Sequence, residues 1–164
     1  MAKNTKLTKD KLIELYMNSV LKHNETPKSV YIFAKMNNLE ESEFYSFFGS
    51  FEALESSIFE AFFDNTIKTL EKSKDYKNYD DQNKILSFYF TFFGNLTANR
   101  SYVTQALHST KGGLNHLKKL KPLRKKFLEF VDELELTGIE IKNKRIDDIK
   151  DNLVNESYWV QMLV

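Results

Sequence analysis

Glu40, Glu41 and Glu43 put three carboxylates within four residues, just ahead of Phe44 and Tyr45. Carboxylates at that spacing favour the positive end of a helix dipole, and they repel phosphate. The opposite charge gathers elsewhere. Lys118, Lys119, Lys121, Arg124, Lys125 and Lys126 place six cations within nine residues around Pro122. Such a patch can dock on anionic membrane headgroups, each nearby cation contributing on the order of 1 kcal/mol, or it can be the solvated face of a helix in a lysine-rich chain. His108 and His116 stand eight residues apart with Gly112-Gly113 between them, so no shared helical face is assured for a metal. His23 closes the first expected helix, where a partial positive charge suits the dipole. Asp80-Asp81 and Asp147-Asp148 fall at helix starts and read as caps. The chain has no Gly-rich phosphate loop, nucleophile elbow or His-Glu metal motif. No catalytic set emerges, so we expect no enzyme, no metal and no cofactor.

The elements that carry these groups follow from apolar spacing. Leu12, Ile13, Tyr16, Val20 and Leu21 mark a helix over about 9–23. Val30, Phe33, Ala34 and Met36 allow a short helix over 28–37. Asn37-Asn38 breaks it, because Asn tolerates a left-handed backbone and bonds its own main chain. Leu39 plugs the turn. A second short helix covers 40–47 with Phe44, Tyr45 and Phe48 able to reach a core. Gly49-Ser50 interrupts, Ser50 is a plausible N-cap, and a long amphipathic helix runs over 50–73. Two short helices joined by a turn of three to four residues form a helix-turn-helix.

The stretch Ser29–Leu54 resembles the N-terminal domain of TetR-family regulators at Ser29, Val30, Phe33, Ala34, Leu39, Phe44, Tyr45, Phe48, Ser50, Glu52 and Leu54. The pairs Tyr45/Phe48 and Glu52/Leu54 are the more specific matches. The resemblance implies an all-α protein: a helix-turn-helix domain over 1–50, a linking helix over 50–73, and a helical ligand-binding and dimerisation domain over 74–164. It also implies a homodimer on operator DNA, a small apolar ligand, and transcriptional repression. DNA contacts would then fall to Lys28, Ser29, Glu40, Glu41, Ser42, Glu43, Tyr45 and Ser46.

The departures from the family pattern are electrostatic. Its turn Gly is Asn38 here, and Glu40, Glu41 and Glu43 replace its small or basic residues. Over 26–55 two cations, Lys28 and Lys35, face five anions, Glu40, Glu41, Glu43, Glu52 and Glu55, a net charge of −3. Lys and Arg must neutralise phosphate for nonspecific DNA affinity. One Glu can read cytosine N4, but three on one helix are hard to reconcile with DNA.

Composition agrees with a helical protein of one or two domains. The chain has 164 residues, formal net charge +1, 5 Gly, 2 Pro and no Cys. The charge makes no general case for nucleic acid. Without cysteine there are no disulfides or thiolate metal sites. The charged start MAKNTKLTKDKL is no secretory leader, and we expect a cytoplasmic location.

Beyond a polar break at 72–81, the segment 82–98 is apolar almost all round and is expected to be central in a bundle. Helices are also expected over 101–109, 114–135 and 147–164. Phe44, Phe47, Phe48, Phe51, Phe59, Phe62 and Phe63 form one aromatic group. Phe88, Tyr89, Phe90, Phe92 and Phe93 form another. Packing explains most of them; a pocket between helices is the functional alternative, with Phe88, Tyr89, Phe92, Phe93, Tyr102, Leu107 and Phe127 as lining and Tyr89 or Tyr102 supplying a hydroxyl. The last apolar stretch, with Tyr158, Trp159, Met162 and Leu163, is expected either to bury itself in a two-fold interface or to mark a truncated C-terminus.

Two functions remain. One is a ligand-responsive regulator. The other is a TetR-fold protein that has lost DNA binding and holds lipid or isoprenoid, as the accessory proteins of ubiquinone biosynthesis do.

Overall fold

The computed structural model describes residues 7–107, 118–134 and 156–162. Among them every regular element is helical. The chain divides into two compact units, one formed by Met1–Ile58 with Asn99–Lys119, the other by Phe59–Ala98 with Leu120–Val164.

The first unit begins with α1, Lys9–His23. Thr8 caps it by accepting from the Lys11 N–H at 3.2 Å, and Asn24 ends it with a left-handed backbone, φ 55°. Helix α2, Val30–Met36, is capped by Ser29, whose hydroxyl accepts from the Ile32 N–H at 3.2 Å. It stops where two asparagines were expected to stop it. The Asn37 amide donates to the Phe33 carbonyl at 2.8 Å, and Asn38 is left-handed at φ 55°. Helix α3 is short, Glu41–Tyr45, because Glu40 is its N-cap and the Ser46 hydroxyl donates back to the Glu43 carbonyl at 2.7 Å. Helix α4, Phe51–Glu71, starts on Ser50, whose hydroxyl accepts from the Ala53 N–H at 3.2 Å. Helix α6, Arg100–Leu107, packs against α1.

Phe33 lies at the centre of this unit, fully buried, with its ring 6.0 Å from Tyr16, 6.0 Å from Phe44 and 5.8 Å from Phe51. Edge-to-face contacts of this kind stabilise beyond area burial alone. Phe44 and Phe48 enter the core as expected, whereas Tyr45, also expected there, is exposed, as is Phe47. Tyr45 follows Phe44 directly and so falls on the opposite side of α3 from the core.

The second unit contains residues 59–71 of α4, a 3₁₀ turn at Tyr76–Asn78, α5 (Asp81–Ala98), α7 (Lys121–Glu133) and a short helix at 156–162, α8. Asp80 caps α5 by accepting from the Asn83 N–H at 2.8 Å. Pro122 opens α7, where its missing N–H costs nothing. Phe88 is the hub. Its ring lies 5.4 Å from Phe92, 5.3 Å from Phe63, 5.5 Å from Phe127 and 4.9 Å from Phe130.

Two expectations are corrected here. Helix α5 is not buried all round: Ile85, Phe88 and Phe92 face the core, while Leu86, Phe90 and Phe93 are exposed. One side of a helix suffices to close this small core. Trp159 and Met162 are buried within their own chain, Trp159 against Phe127 at 6.1 Å, so they are not presented to a partner. His108, Gly112-Gly113, His116, Asp147-Asp148 and Leu163 lie outside the described residues.

Candidate functional site

The α2–turn–α3 segment brings the expected DNA-contacting residues to one stretch of surface and gives several of them structural duties. Lys28, Glu40, Ser42, Glu43, Tyr45 and Ser46 are exposed, and Ser29 and Glu41 are half-buried. Ser29 is committed to the α2 cap. The Glu43 carboxylate accepts from the Glu40 N–H at 2.8 Å, one arm of a capping box. The Lys35 ammonium reaches both Glu40 oxygens, at 3.2 and 3.3 Å. Glu52, at the start of α4, has its carboxyl held below the usual range by a backbone N–H and the Ser50 hydroxyl.

Glu55 is not a surface anion. Tyr16 donates to one of its oxygens at 2.7 Å, and Lys119 pairs with the other at 2.8 Å, both ends of that ion pair being little exposed. Lys119 also donates to the Ala106 carbonyl at 3.0 Å. Burial first, and the Glu55 charge second, push the hydroxyl pKa values of Tyr16 and Tyr102 well above the ordinary tyrosine range. Tyr102 is almost fully buried, and among the described residues its hydroxyl has no hydrogen-bond partner. Sequence reasoning missed this polar core. A signal existed: Tyr16 stands on the apolar stripe of Leu12 and Val20, and a tyrosine buried there requires a partner for its hydroxyl.

The residues proposed to line an apolar pocket separate. Phe88, Tyr89, Phe92, Phe93 and Phe127 come together in the second unit, Tyr89 lying 6.1 Å from both Phe93 and Phe127. Tyr102 and Leu107 belong to the first unit, on α6. Sequence order had grouped them with α5, but α6 packs on α1 instead. The Tyr89 hydroxyl is already engaged, donating to the Tyr158 carbonyl at 3.0 Å, and burial pushes its pKa up to about 12. A second polar contact in this unit joins Asn95 to the buried Thr66 hydroxyl at 3.0 Å.

The six-cation segment is largely neutralised inside the chain. Lys119 pairs with Glu55. Arg124 pairs with Glu156. Lys125 lies 3.8 Å from Glu129, one turn along α7. Lys126 pairs with Asp64 at 2.7 Å and Glu60 at 3.6 Å. Burial opposes the Lys126 charge, but the Asp64 and Glu60 carboxylates outweigh it and hold its pKa above the usual lysine value. Lys118 and Lys121 are exposed. Among the described residues no group of three or more His, Cys, Asp or Glu side chains is disposed to hold a metal, and no helix is long and apolar enough to cross a membrane.

Residues 84–164 match the family model of the tetracyclin repressor-like C-terminal domain. With an all-α architecture among the described residues, this match supports a TetR-like chain. No curated protein and no solved structure matches it.

Proposed function

We propose that the chain is a TetR-like, ligand-responsive transcriptional regulator, a repressor that binds operator DNA as a homodimer. Residues 1–50 read DNA, and residues 74–164 hold the ligand and the dimer contact. The observation that carries this reading is the α2–turn–α3 arrangement, on the same chain as a tetracyclin repressor-like C-terminal domain. Phe44 anchors one face of α3 in the core, and Ser42, Tyr45 and Ser46 stand exposed on another. That geometry offers the Ser42 and Tyr45 hydroxyls to a phosphate backbone.

The charge objection weakens on this geometry. Glu40 is balanced by Lys35, and Glu55 is tied to Lys119. Glu41, Glu43 and Glu52 remain to repel phosphate. Lys28 and the hydroxyls of Ser42 and Tyr45 supply the contacts, so affinity rests on few ion pairs and depends only weakly on salt. The ligand is a small apolar molecule, and the aromatic group Phe88, Tyr89, Phe92, Phe93 and Phe127 is its candidate site.

One observation favours the second reading, a relative that binds lipid or isoprenoid without DNA: Lys35 is already engaged by Glu40, which leaves the segment poor in cations. The internal ion pairs of the 118–126 segment weigh against membrane docking within that reading. A genome-wide DNA pull-down at low salt decides. The regulator reading requires an enriched site that an apolar ligand releases. Recovery of no enriched site, alongside a ligand-dependent rise in melting temperature over a fatty-acid and isoprenoid panel, establishes the second reading.

A further inference from the structure

Several cations of the first unit are already spent. Lys11 pairs with Glu14, Lys35 with Glu40 and Lys119 with Glu55. Lys9, Lys22, Lys28, Arg100 and Lys118 are exposed and join no ion pair among the described residues. The structure seats one of these five against the helix-turn-helix. The Lys9 ammonium lies over the Phe48 ring, 5.5 Å from its centroid. Phe48 is buried in the connection between α3 and α4, its ring 6.2 Å from Phe44, which anchors α3 in the core. Tyr45 meets the same Phe44 ring edge-on at 5.5 Å and stays exposed. Lys9 and Tyr45 are therefore both held in register with α3 through the Phe44/Phe48 pair. Lys22, at the other end of α1, lies about 20 Å away along the helix axis.

We propose that Lys9 contacts a phosphate of the DNA backbone beside α3, a cation on α1 that makes good what the acidic α2–turn–α3 segment lacks. The inference rests on the regulator reading and adds to it a residue outside the helix-turn-helix. The kind of seat matters. A carboxylate partner cancels a lysine charge, as Glu40 does for Lys35. An aromatic face attracts the ammonium and leaves its charge whole. It also narrows the arrangements of the four-carbon stem before DNA arrives, so less rotamer freedom is lost when a phosphate orders it. The chemistry fits a backbone contact and not a base contact. A compact ammonium meets a phosphate oxygen as a point charge, which fixes the register of the protein on the duplex without reading sequence. Sequence is left to the side chains of α3.

Fluorescence anisotropy of the full chain on a labelled random-sequence duplex, followed against salt, tests it beside Lys9→Gln, Lys9→Arg and Lys22→Gln. Lys9 and Lys22 are exposed, so the variants keep their helical circular dichroism and melting temperature. The expected result for Lys9→Gln is a slope of log affinity against log salt shallower by about 0.9, one phosphate contact fewer, and binding weakened about 5- to 10-fold at 0.1 M salt. Lys9→Arg keeps the slope, because the charge remains over the ring. Lys22→Gln keeps both slope and affinity. The preference for an enriched genomic site over the random duplex should not change in Lys9→Gln, since a phosphate contact carries no sequence information. A chain that binds the duplex with the same slope and affinity after Lys9→Gln overturns the proposal and leaves the regulator reading standing. Equal losses from Lys9→Gln and Lys22→Gln also overturn it, because the effect is then one of diffuse charge. A wild-type chain that binds neither the random duplex nor any genomic site removes the regulator reading, and this contact with it.

Discussion

The Tyr16 hydroxyl donates a 2.7 Å hydrogen bond to the Glu55 carboxylate across 39 residues of chain, tying α1 to α4. The second oxygen of Glu55 holds Lys119. One half-buried carboxylate thus secures two distant parts of the first unit. Removing one partner of such a set leaves the others desolvated and uncompensated.

Glu55→Ala should therefore cost about 2–3 kcal/mol, because the charged contacts it removes are only partly buried. Tyr16→Phe should cost about 1.5–3 kcal/mol, as befits one hydrogen bond to a charged acceptor. The two losses should be strongly non-additive in a double-mutant cycle read by urea unfolding. A loss of less than about 1 kcal/mol for Glu55→Ala would put this pair among ordinary surface salt bridges.

Alkaline pH should unfold the protein through its buried tyrosines. Burial and Glu55 raise the pKa of Tyr16 and Tyr102, and burial raises Tyr89 to about 12. The folded chain keeps these protons when the unfolded chain begins to lose them. Their contribution is complete below about pH 10 and falls as pH rises above it. Each such tyrosine steepens the decline by up to about 1.4 kcal/mol per pH unit. Unfolding midpoints followed from neutral to alkaline pH should bend downward above about pH 10, and Tyr16→Phe should flatten the bend. An unchanged profile would mean that the Tyr16 proton is not held.

What the sequence made legible was mostly local. The bounds of α1, the stop at Asn37-Asn38 and the cap at Ser50 depend on residues within a turn of one another, and each is found as expected. Phe33, Phe44 and Phe48 reached the core for the same reason. Long-range pairing was not legible. Glu55 counted as one anion among five, because nothing near it in sequence announces Lys119. Tyr102 and Leu107 were grouped with α5 by chain order, although α6 packs on α1. For α5 the composition was apolar on every side, so periodicity could not tell the face that closes the core from the face left to water. The acidic run illustrates a different limit. Its charges were read correctly, but their partners are set by geometry: a lysine across the turn and the helix's own N–H groups.

The turn between α2 and α3 should be sensitive to one residue. Asn38 holds φ 55°, a conformation that costs an ordinary L-residue about 1–2 kcal/mol. Asn38→Ala should destabilise by about 1 kcal/mol, whereas Asn38→Gly should not. Ser29→Ala should also cost about 1 kcal/mol through the lost cap. Thermal unfolding of the three variants checks the order. If Asn38→Ala melts at the wild-type temperature, the left-handed turn is not part of the stable structure.

The Lys35–Glu40 pair makes DNA affinity open to a graded test. Log affinity falls with log salt at a slope near −0.9 per neutralised phosphate. Glu40→Gln removes an anion and also releases Lys35, whose ammonium now lies 3.2 Å from it. Nonspecific affinity should rise, and the slope should steepen by about 0.9, one added phosphate contact. Glu41→Gln removes an anion without releasing a cation, so it should raise affinity with little change of slope. Glu43→Gln keeps an acceptor for the Glu40 N–H, so α3 should stay capped. If one glutamate reads cytosine, its Gln variant alone should lose specific affinity while gaining nonspecific affinity. Fluorescence anisotropy against salt on a labelled duplex distinguishes these outcomes. Three variants with wild-type affinity and slope would show that α3 does not face phosphate, and DNA would have to be abandoned as the ligand of this surface.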